Sequence, residues 1–307
     1  MEGYPELSGP RFELSLGEEG YPEPLAQIPD PPERIFGVGD PAALRPGVAV
    51  IGARKATPYG LTCAERFAAR AARRGLTVVA GGAIGCDLAA HSAAVELGAP
   101  TVVVFGSGAD VVYPKRGAAT FQKAVDQGGA VISENPWGTP PLPGYFPPRN
   151  RIIAGLSFLL VIVEAGLPSG TFSTADAALS QGKEVAVVPG AITSPASSGS
   201  NRLLCQGALP VVDDESFDDA LDAAWERCPV PVVELAGPEA HPPDPEAVEA
   251  DEVLSALAAE ALRPEELSAY FGIPPSELAS RLSHYEMEGL VERGRGGVYH
   301  LRALVRK

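Results

Sequence analysis

Between residues 48 and 212 the chain alternates short, uniformly apolar runs with longer stretches whose apolar positions recur at helical spacing. The runs at 48–52, 76–80, 101–105, 129–133, 157–163 and 184–188, with a short last one near 209–212, predict strands buried on both faces. The stretches between them predict amphipathic helices over about 59–74, 86–97, 117–127 and 171–181. Strands of this kind alternating with helices make a mostly parallel sheet covered on both sides, and right-handed crossovers give it a Rossmann-like, doubly wound α/β topology.

Outside that region the pattern changes. Residues 11–46 are rich in Pro and Gly with short apolar groups between, which predicts an extended segment laid along the domain. Residues 227–250 are proline-rich and acidic without helical period, the composition of a linker. Beyond it come three short helical patterns and two short strand patterns around a Gly-rich turn at 294–297, the order of a small winged helix. The domains expected are an extended N-terminal segment (1–46), a Rossmann-like domain (47–226), a linker (227–250) and a winged helix (251–307).

Composition sharpens this picture only through its distribution. The 307 residues carry a net charge of −15, which argues against a nucleic-acid partner until it is located. Residues 1–40 hold 9 acidic and 2 basic side chains and residues 213–252 hold 14 and 1, whereas residues 41–212 hold 9 acidic and 14 basic, a local +5. The acidity lies in the ends and the linker, and the central domain is basic. Cys63, Cys86, Cys205 and Cys228 form no C-x-x-C pair or zinc-ligand spacing, so reduced thiols and no metal site are expected. No apolar run reaches signal-peptide or membrane-span length, which predicts a cytoplasmic protein with no membrane contact.

Candidate chemistry collects at the strand ends. The first strand runs into Gly52, the basic pair Arg54 and Lys55, and a helix start at Pro58. Such a turn lets backbone N–H groups face outward and suits an anion. It is neither G-x-x-x-x-G-K-[ST] nor G-x-G-x-x-G, and the next strand ends in Gly81-Gly82 instead of an acidic ribose ligand, so no nucleotide cofactor is expected. Asp87 is placed as the N-cap of the second helix, His91 reads as a satisfied structural histidine, and Ser169-Gly170-Thr171 forms a further turn feeding a helix. Phe146, Arg149, Asn150 and Arg151 combine a stacking face with forked donors that suit phosphates. Lys183 follows a helix C-terminus, where a cation is favoured by the dipole in any case. Acid, base and nucleophile occur at no recognisable spacing, so no catalytic residues are assigned.

In this order, GARKATPYG (52–60), GGAIGCDLAAH (81–91), GSGADVVYP (106–114), SENP (133–136), FPPRNRIIAGLS (146–157), VEAGLPSGTFSTADAAL (163–179), AVVPGAITSPASSGSNRLLCQGA (186–208) and the terminal winged helix resemble the DprA family, also called Smf, of bacterial DNA-processing proteins of natural transformation. The likeness extends from about residue 12 to 305; it departs at Ile84-Gly85-Cys86-Asp87, where the family's arginine beside Asp87 is missing, and no counterpart of the N-terminal helical module of many members is expected in these residues. The resemblance implies a single-stranded DNA binder that loads RecA recombinase, displaces single-strand-binding protein and forms a homodimer. It implies a DNA pocket of Gly52, Arg54, Lys55, Thr57, Lys115, Phe146, Arg149, Asn150, Arg151 and Lys183, lined further by Ser169, Gly170, Thr171, Ser200 and Asn201. Arg54, Arg149, Arg151 and Lys183 are expected to be exposed, unpaired with carboxylates and gathered at one edge of the sheet.

Two readings compete. Nucleoside-monophosphate phosphoribohydrolases of the same sheet end a strand in P-G-G-x-G-T-x-x-E, and here Gly170-Thr171 keeps the G-T while Thr174 stands where the catalytic glutamate would be. A hydroxyl cannot supply the charge that stabilises a ribosyl cation. A winged-helix regulator would need a basic reading helix, yet 276–289 contains Arg281 and His284 beside Glu277, Glu286 and Glu288.

Overall fold

The structure, a computed structural model, describes residues 4–232, 251–260, 262–287, 290–293 and 298–301. Most of the expected linker and the Gly-rich turn at 294–297 lie outside the described residues. The chain divides into two compact units, Met1–Pro238 and Glu239–Lys307.

The first unit is built on a nine-stranded sheet. Its strands are β1 (Arg11–Ser15), β2 (Arg34–Gly39), β3 (Gly47–Ile51), β4 (Val78–Ala80), β5 (Thr101–Val104), β6 (Ala130–Ser133), β7 (Ser157–Ile162), β8 (Glu184–Val187) and β9 (Leu209–Pro210). Their order is β1-β2-β6-β5-β4-β3-β7-β8-β9, parallel from β6 to β9. The helices are α1 (Glu23–Ala26), α2 (Pro58–Arg73), α3 (Cys86–Glu96), α4 (Ala118–Asp126), α5 (Phe146–Gly155), α6 (Thr171–Ser180), α7 (Ser198–Cys205) and α8 (Asp214–Glu226). The fold is the expected Rossmann-like, doubly wound and mostly parallel one.

Alternate residues of each central strand face opposite ways. Val48 and Val50 of β3 and Leu159 and Val161 of β7 join the core under α2, α3 and α8. Ala49, Ile51, Leu160 and Ile162 join the core under α5 and α6. Both faces are therefore covered, which explains why these strands read as unbroken apolar runs instead of alternating ones. Each fully buried Leu, Ile, Val or Phe side chain contributes about 1.5–3 kcal/mol.

The N-terminal segment does more than lie along the domain. Residues 11–15 pair antiparallel with β2, and β2 pairs antiparallel with β6, so the segment extends the sheet by two strands. A helix absent from the predicted pattern also closes the other end. Asp213 caps α8, accepting from the Ser216 N–H at 2.8 Å, and Phe217 stacks on Phe67 of α2 with ring centroids 5.0 Å apart. Along the same seam Arg66, Arg70 and Arg74 meet Asp214, Asp218 and Asp222. Both triplets repeat every fourth residue, so each lies along one helix face and the two faces match turn for turn. Three acids of the negative stretch are thus spent within the first unit.

The second unit packs helices Glu252–Ala259, Pro264–Phe271 and Pro275–Met287 with the antiparallel strands Val291–Arg293 and Tyr299–Leu301 around a small apolar core. This is the expected winged helix. Arg281 of its last helix turns inward, bonding Asp251 Oδ2 at 3.1 Å and the Tyr285 hydroxyl at 3.2 Å.

Candidate functional site

Strand order reverses between β3 and β7. Past β3 the chain leaves toward α2 on one face, and past β7 it leaves toward α6 on the other. Diverging loops at such a switch point leave a crevice outside the carboxyl ends of the strands, the usual ligand position in open α/β sheets. A cavity of about 530 Å³ opens there, lined by Gly52, Arg54, Lys55, Phe146, Arg149, Asn150, Ser169, Gly170 and Thr171 of the expected site, with Ala83, Asp87, Pro168, Ser173 and Thr174 among its other walls.

Arg54 and Lys55 are exposed at its mouth, and among the described residues neither forms an ion pair. The Arg54 guanidinium lies 5.5 Å from the centre of the Phe146 ring. Phe146, half-buried at the start of α5, is in turn tilted against Tyr113 at 5.9 Å. A ring held beside a cation offers a stacking face and a charge to one ligand, and the pair itself is worth about 0.5–1 kcal/mol at an exposed site.

Arg149 differs from expectation. It is 4% exposed, and its Nη1 donates to the carbonyl of Gly81 at 2.7 Å and to that of Val104. A Cβ on Gly81 would stand 2.6 Å from its Nη2, so only glycine lets the guanidinium reach the ends of β4 and β5. Burial pulls the Arg149 pKa down to about 10, the charge of Asp87 opposes this, and Arg54 adds to the fall. Asp87 is likewise not an N-cap. Gly85, at φ 94°, is the N-cap of α3, and Asp87 sits inside the first turn, accepting from Gly81 at 3.0 Å and from Ala83 and Gly52 at 3.4 Å. Burial raises its pKa, while Arg149 and the three backbone bonds act the other way. This buried pair ties the ends of β3, β4 and β5 together behind the cavity wall.

Several expected site residues serve the scaffold instead. Arg151 is two positions from Arg149 on α5, hence on the other side of the helix. There it grips Glu134 at 2.7 and 2.8 Å and Asp30 at 2.9 Å, clamping the N-terminal segment, and it does not line the cavity. Thr57 caps α2, accepting from the Gly60 N–H at 3.2 Å and donating its hydroxyl to Glu164 at 2.5 Å. The Ser200 hydroxyl accepts from the Ala165 N–H at 2.8 Å, and Asn201 brackets Gly190 at 3.0 and 3.1 Å, so both fix loops through their side chains. Asn150 donates to the Ser173 hydroxyl at 2.7 Å and thereby joins α5 to α6 across the cavity.

Lys183 is separated from the rest. It precedes β8, whose parallel alignment puts it at the amino edge of the sheet, opposite Arg54 at the carboxyl edge. It is half-buried there, and burial lowers its pKa, partly offset by Cys228. Lys115 does stand at the carboxyl edge, exposed just after the β5 loop, outside the cavity but within 5.5 Å of the Tyr4 ring.

The sequence reading missed Tyr113 and the full part of Glu164. Glu164 is 2% exposed and accepts from Thr57 through both carboxylate oxygens, holding the turn that presents Arg54 and Lys55. Its signal was an acid closing an otherwise apolar strand, VIVE. His91 is buried as a structural histidine, with Nδ1 2.8 Å from the Thr101 hydroxyl and its pKa pushed down to about 3 by burial, but it is not fully satisfied: its Nε2 has no hydrogen-bond partner among the described residues. Among the described residues no group of His, Cys, Asp and Glu could hold a metal ion, and no helix is long and apolar enough to cross a membrane.

Fold and cavity together define a crevice with two exposed cations at the switch point of a doubly wound sheet, carried by a chain with an appended winged helix. Residues 13–222 match the family model described as DNA recombination-mediator protein A, and residues 237–297 match the DprA winged helix domain. The chain belongs to this family. It is 34% identical to Protein Smf of Escherichia coli over 292 residues, covering 94% of this chain and 77% of that one. Among solved structures it is similar to DNA processing protein A of Streptococcus pneumoniae, with TM-score 0.62, 34% identity and coverage of 71% and 74%. It is also similar to the Helicobacter pylori protein, described for its single-stranded DNA binding mode, with TM-score 0.63, 29% identity and coverage of 71% and 98%.

Proposed function

We propose that this protein is a single-stranded DNA-binding recombination mediator that holds incoming DNA during natural transformation and loads RecA recombinase onto it, displacing single-strand-binding protein. The observation that carries the reading is the exposed pair Arg54 and Lys55, without an ion-pair partner among the described residues, beside Phe146 at the mouth of a 530 Å³ crevice. Two cations neutralise phosphates, the ring stacks on any base, and no groove-reading helix is involved, so binding follows the backbone and not the sequence. The Helicobacter pylori relative is described as binding single strands, which supports the same ligand class here.

The contact set narrows to Gly52, Arg54, Lys55, Phe146, Asn150, Ser169, Gly170 and Thr171, with Lys115 beyond the cavity. Arg149 acts by positioning the wall. The protein works in the cytoplasm as a homodimer and not as an enzyme: Thr174, 2% exposed in the cavity lining, stands where a phosphoribohydrolase would place its glutamate. The winged helix is a protein-contact module, because Arg281 is turned onto Asp251.

Anisotropy titration with single- and double-stranded oligonucleotides over a salt series tests this. Affinity for single strands should fall with a slope of about −0.7 per neutralised phosphate. A salt-independent affinity, or nucleotide hydrolysis in a parallel assay, would refute it.

A further inference from the structure

Beyond the cavity, two tyrosine side chains stand outside the apolar core. Tyr113 and Tyr4 are 43% and 41% exposed, although each could have been buried as an ordinary apolar group. They stand in a series of neighbouring side chains that begins at the cavity. Arg54 lies over Phe146 at 5.5 Å, Phe146 meets Tyr113 at 5.9 Å, Lys115 follows Tyr113 by two positions, and Lys115 Nζ lies 5.5 Å from the Tyr4 ring. Two cations and three rings are interspersed along this line, and among the described residues neither Lys115 nor Arg54 has a carboxylate partner.

Tyr4 is not there by accident of a loose terminus. Leu7 is buried in the core under α4, and Ser8 is clasped by Gln122 of that helix, N–H to Oε1 at 2.8 Å and carbonyl to Nε2 at 2.9 Å. These anchors fix the chain four residues past Tyr4. The N-terminal segment thus delivers a ring to the side of Lys115, at the edge of the sheet where β5 ends.

We propose that Tyr113, Lys115 and Tyr4 form a stacking track continuous with the cavity, on which a single strand lays successive bases as it leaves Phe146. The proposal rests on the reading of the cavity as a single-strand site and adds a direction: the strand runs from β3 across the end of β5 toward the N-terminal segment. Cations interspersed with aromatic faces suit single-stranded nucleic acid, because phosphates and bases both recur along it. A duplex keeps its bases stacked on each other and cannot use the rings.

The test separates rings from charges. An 18-nucleotide strand is compared with a strand of the same length made of abasic sites, which keeps every phosphate and removes every base. Tyr4→Ala combined with Tyr113→Ala should weaken the normal strand by about tenfold or more and the abasic strand by less than about twofold. Tyr113→Phe, which keeps a ring, should restore most of its share. A strand carrying 5-iodouracil, irradiated and digested, should place adducts on peptides containing Tyr113 and Tyr4. Equal weakening of both strands would overturn the track, since the tyrosines would then act through the fold, and unchanged affinity for both would overturn it too. If Arg54→Glu abolishes binding while the double tyrosine variant does nothing, the cavity stands and the track fails. If the wild-type protein binds neither strand, both fail.

Discussion

Arginines occupy two contrasting regions of this protein. On α2, Arg66, Arg70 and Arg74 each meet an aspartate of α8, so their charge is consumed in joining two helices. At the carboxyl edge, Arg54 faces a ring and a cavity, with no ion pair among the described residues. Local charge counting cannot tell these cases apart, because the aspartates that neutralise α2 lie 148 positions away in sequence. A third case lies between them: Arg149 is at the cavity but buried, bonded to carbonyls, and holds the wall in place. What makes an arginine available to a ligand is the absence of an internal partner, and position near a site does not guarantee it.

The comparison is broken most strongly at Arg149. Arg149→Ala removes donors from two buried carbonyls, leaves Asp87 without its nearby positive charge and opens a void; each orphaned carbonyl alone costs about 1–3 kcal/mol. The expected loss is about 3 kcal/mol or more, read as a large fall in melting temperature, with DNA binding lost as a consequence. A variant that melts normally would return Arg149 to the binding residues. At Arg54 the pattern should reverse. Arg54→Ala should leave stability within about 0.5 kcal/mol while weakening single-strand binding by about 1.5–3 kcal/mol, some 10- to 150-fold. Lys55→Ala should act in the same direction. Binding isotherms paired with melting curves check both, and unimpaired binding by the two together would remove the cavity as the site.

The seam should respond more mildly. Its pairs are about one-third exposed, so solvent screens them; the Arg70 and Asp218 side chains are each 29% exposed. Arg70→Ala touches two aspartates at once and should cost about 1 kcal/mol, with the loss shrinking as salt rises. DNA affinity at moderate salt should not change. If affinity falls instead, α8 reports to the cavity, and its charges belong to function and not only to the scaffold.

Much of this was legible beforehand, for a physical reason. Strands buried on both faces and helices at helical spacing are local patterns, so the parallel strands, the helices α2, α3, α4 and α6 and the glycine turns at Gly52, Gly81 and Ser169-Gly170-Thr171 could be read directly, whereas α5 and α7 were not among the predicted helices. The β1–β2 pair was not, because β1 forms only against β2 and β2 docks on β6, and Pro and Gly around them read as loop. α8 was hidden by its own composition: six acidic residues in Asp214–Glu226 suggest a solvated tail until their partners on α2 are known. Arg149 and Arg151 look equivalent in PPRNR, yet one is buried under Gly81 and the other clamps Glu134. Which way a side chain turns from a helix start depends on distant contacts, and that information is not local.

The smallest expected effect is also the most pointed. The family resemblance implies Lys183 as a pocket residue, but β8 runs parallel to β3, so the residue before β8 and the residues after β3 are at opposite edges of the sheet. A lysine there cannot share a phosphate with Arg54 on the same chain without the sheet being crossed. Its half-buried stem packs against the scaffold, and burial lowers its pKa without abolishing the charge. Lys183→Ala should therefore change single-strand affinity by less than about twofold, against ten- to 150-fold for Arg54→Ala, and should cost no more than about 1 kcal/mol in stability through lost stem packing. The comparison is made by titrating both variants with the same oligonucleotide at the same salt. A drop in the Lys183 variant as large as that of Arg54, with an unchanged melting curve, would mean that a bound strand touches both edges. The amino edge would then have to come from a second copy of the chain, and the same titration repeated across protein concentrations would reveal that dependence.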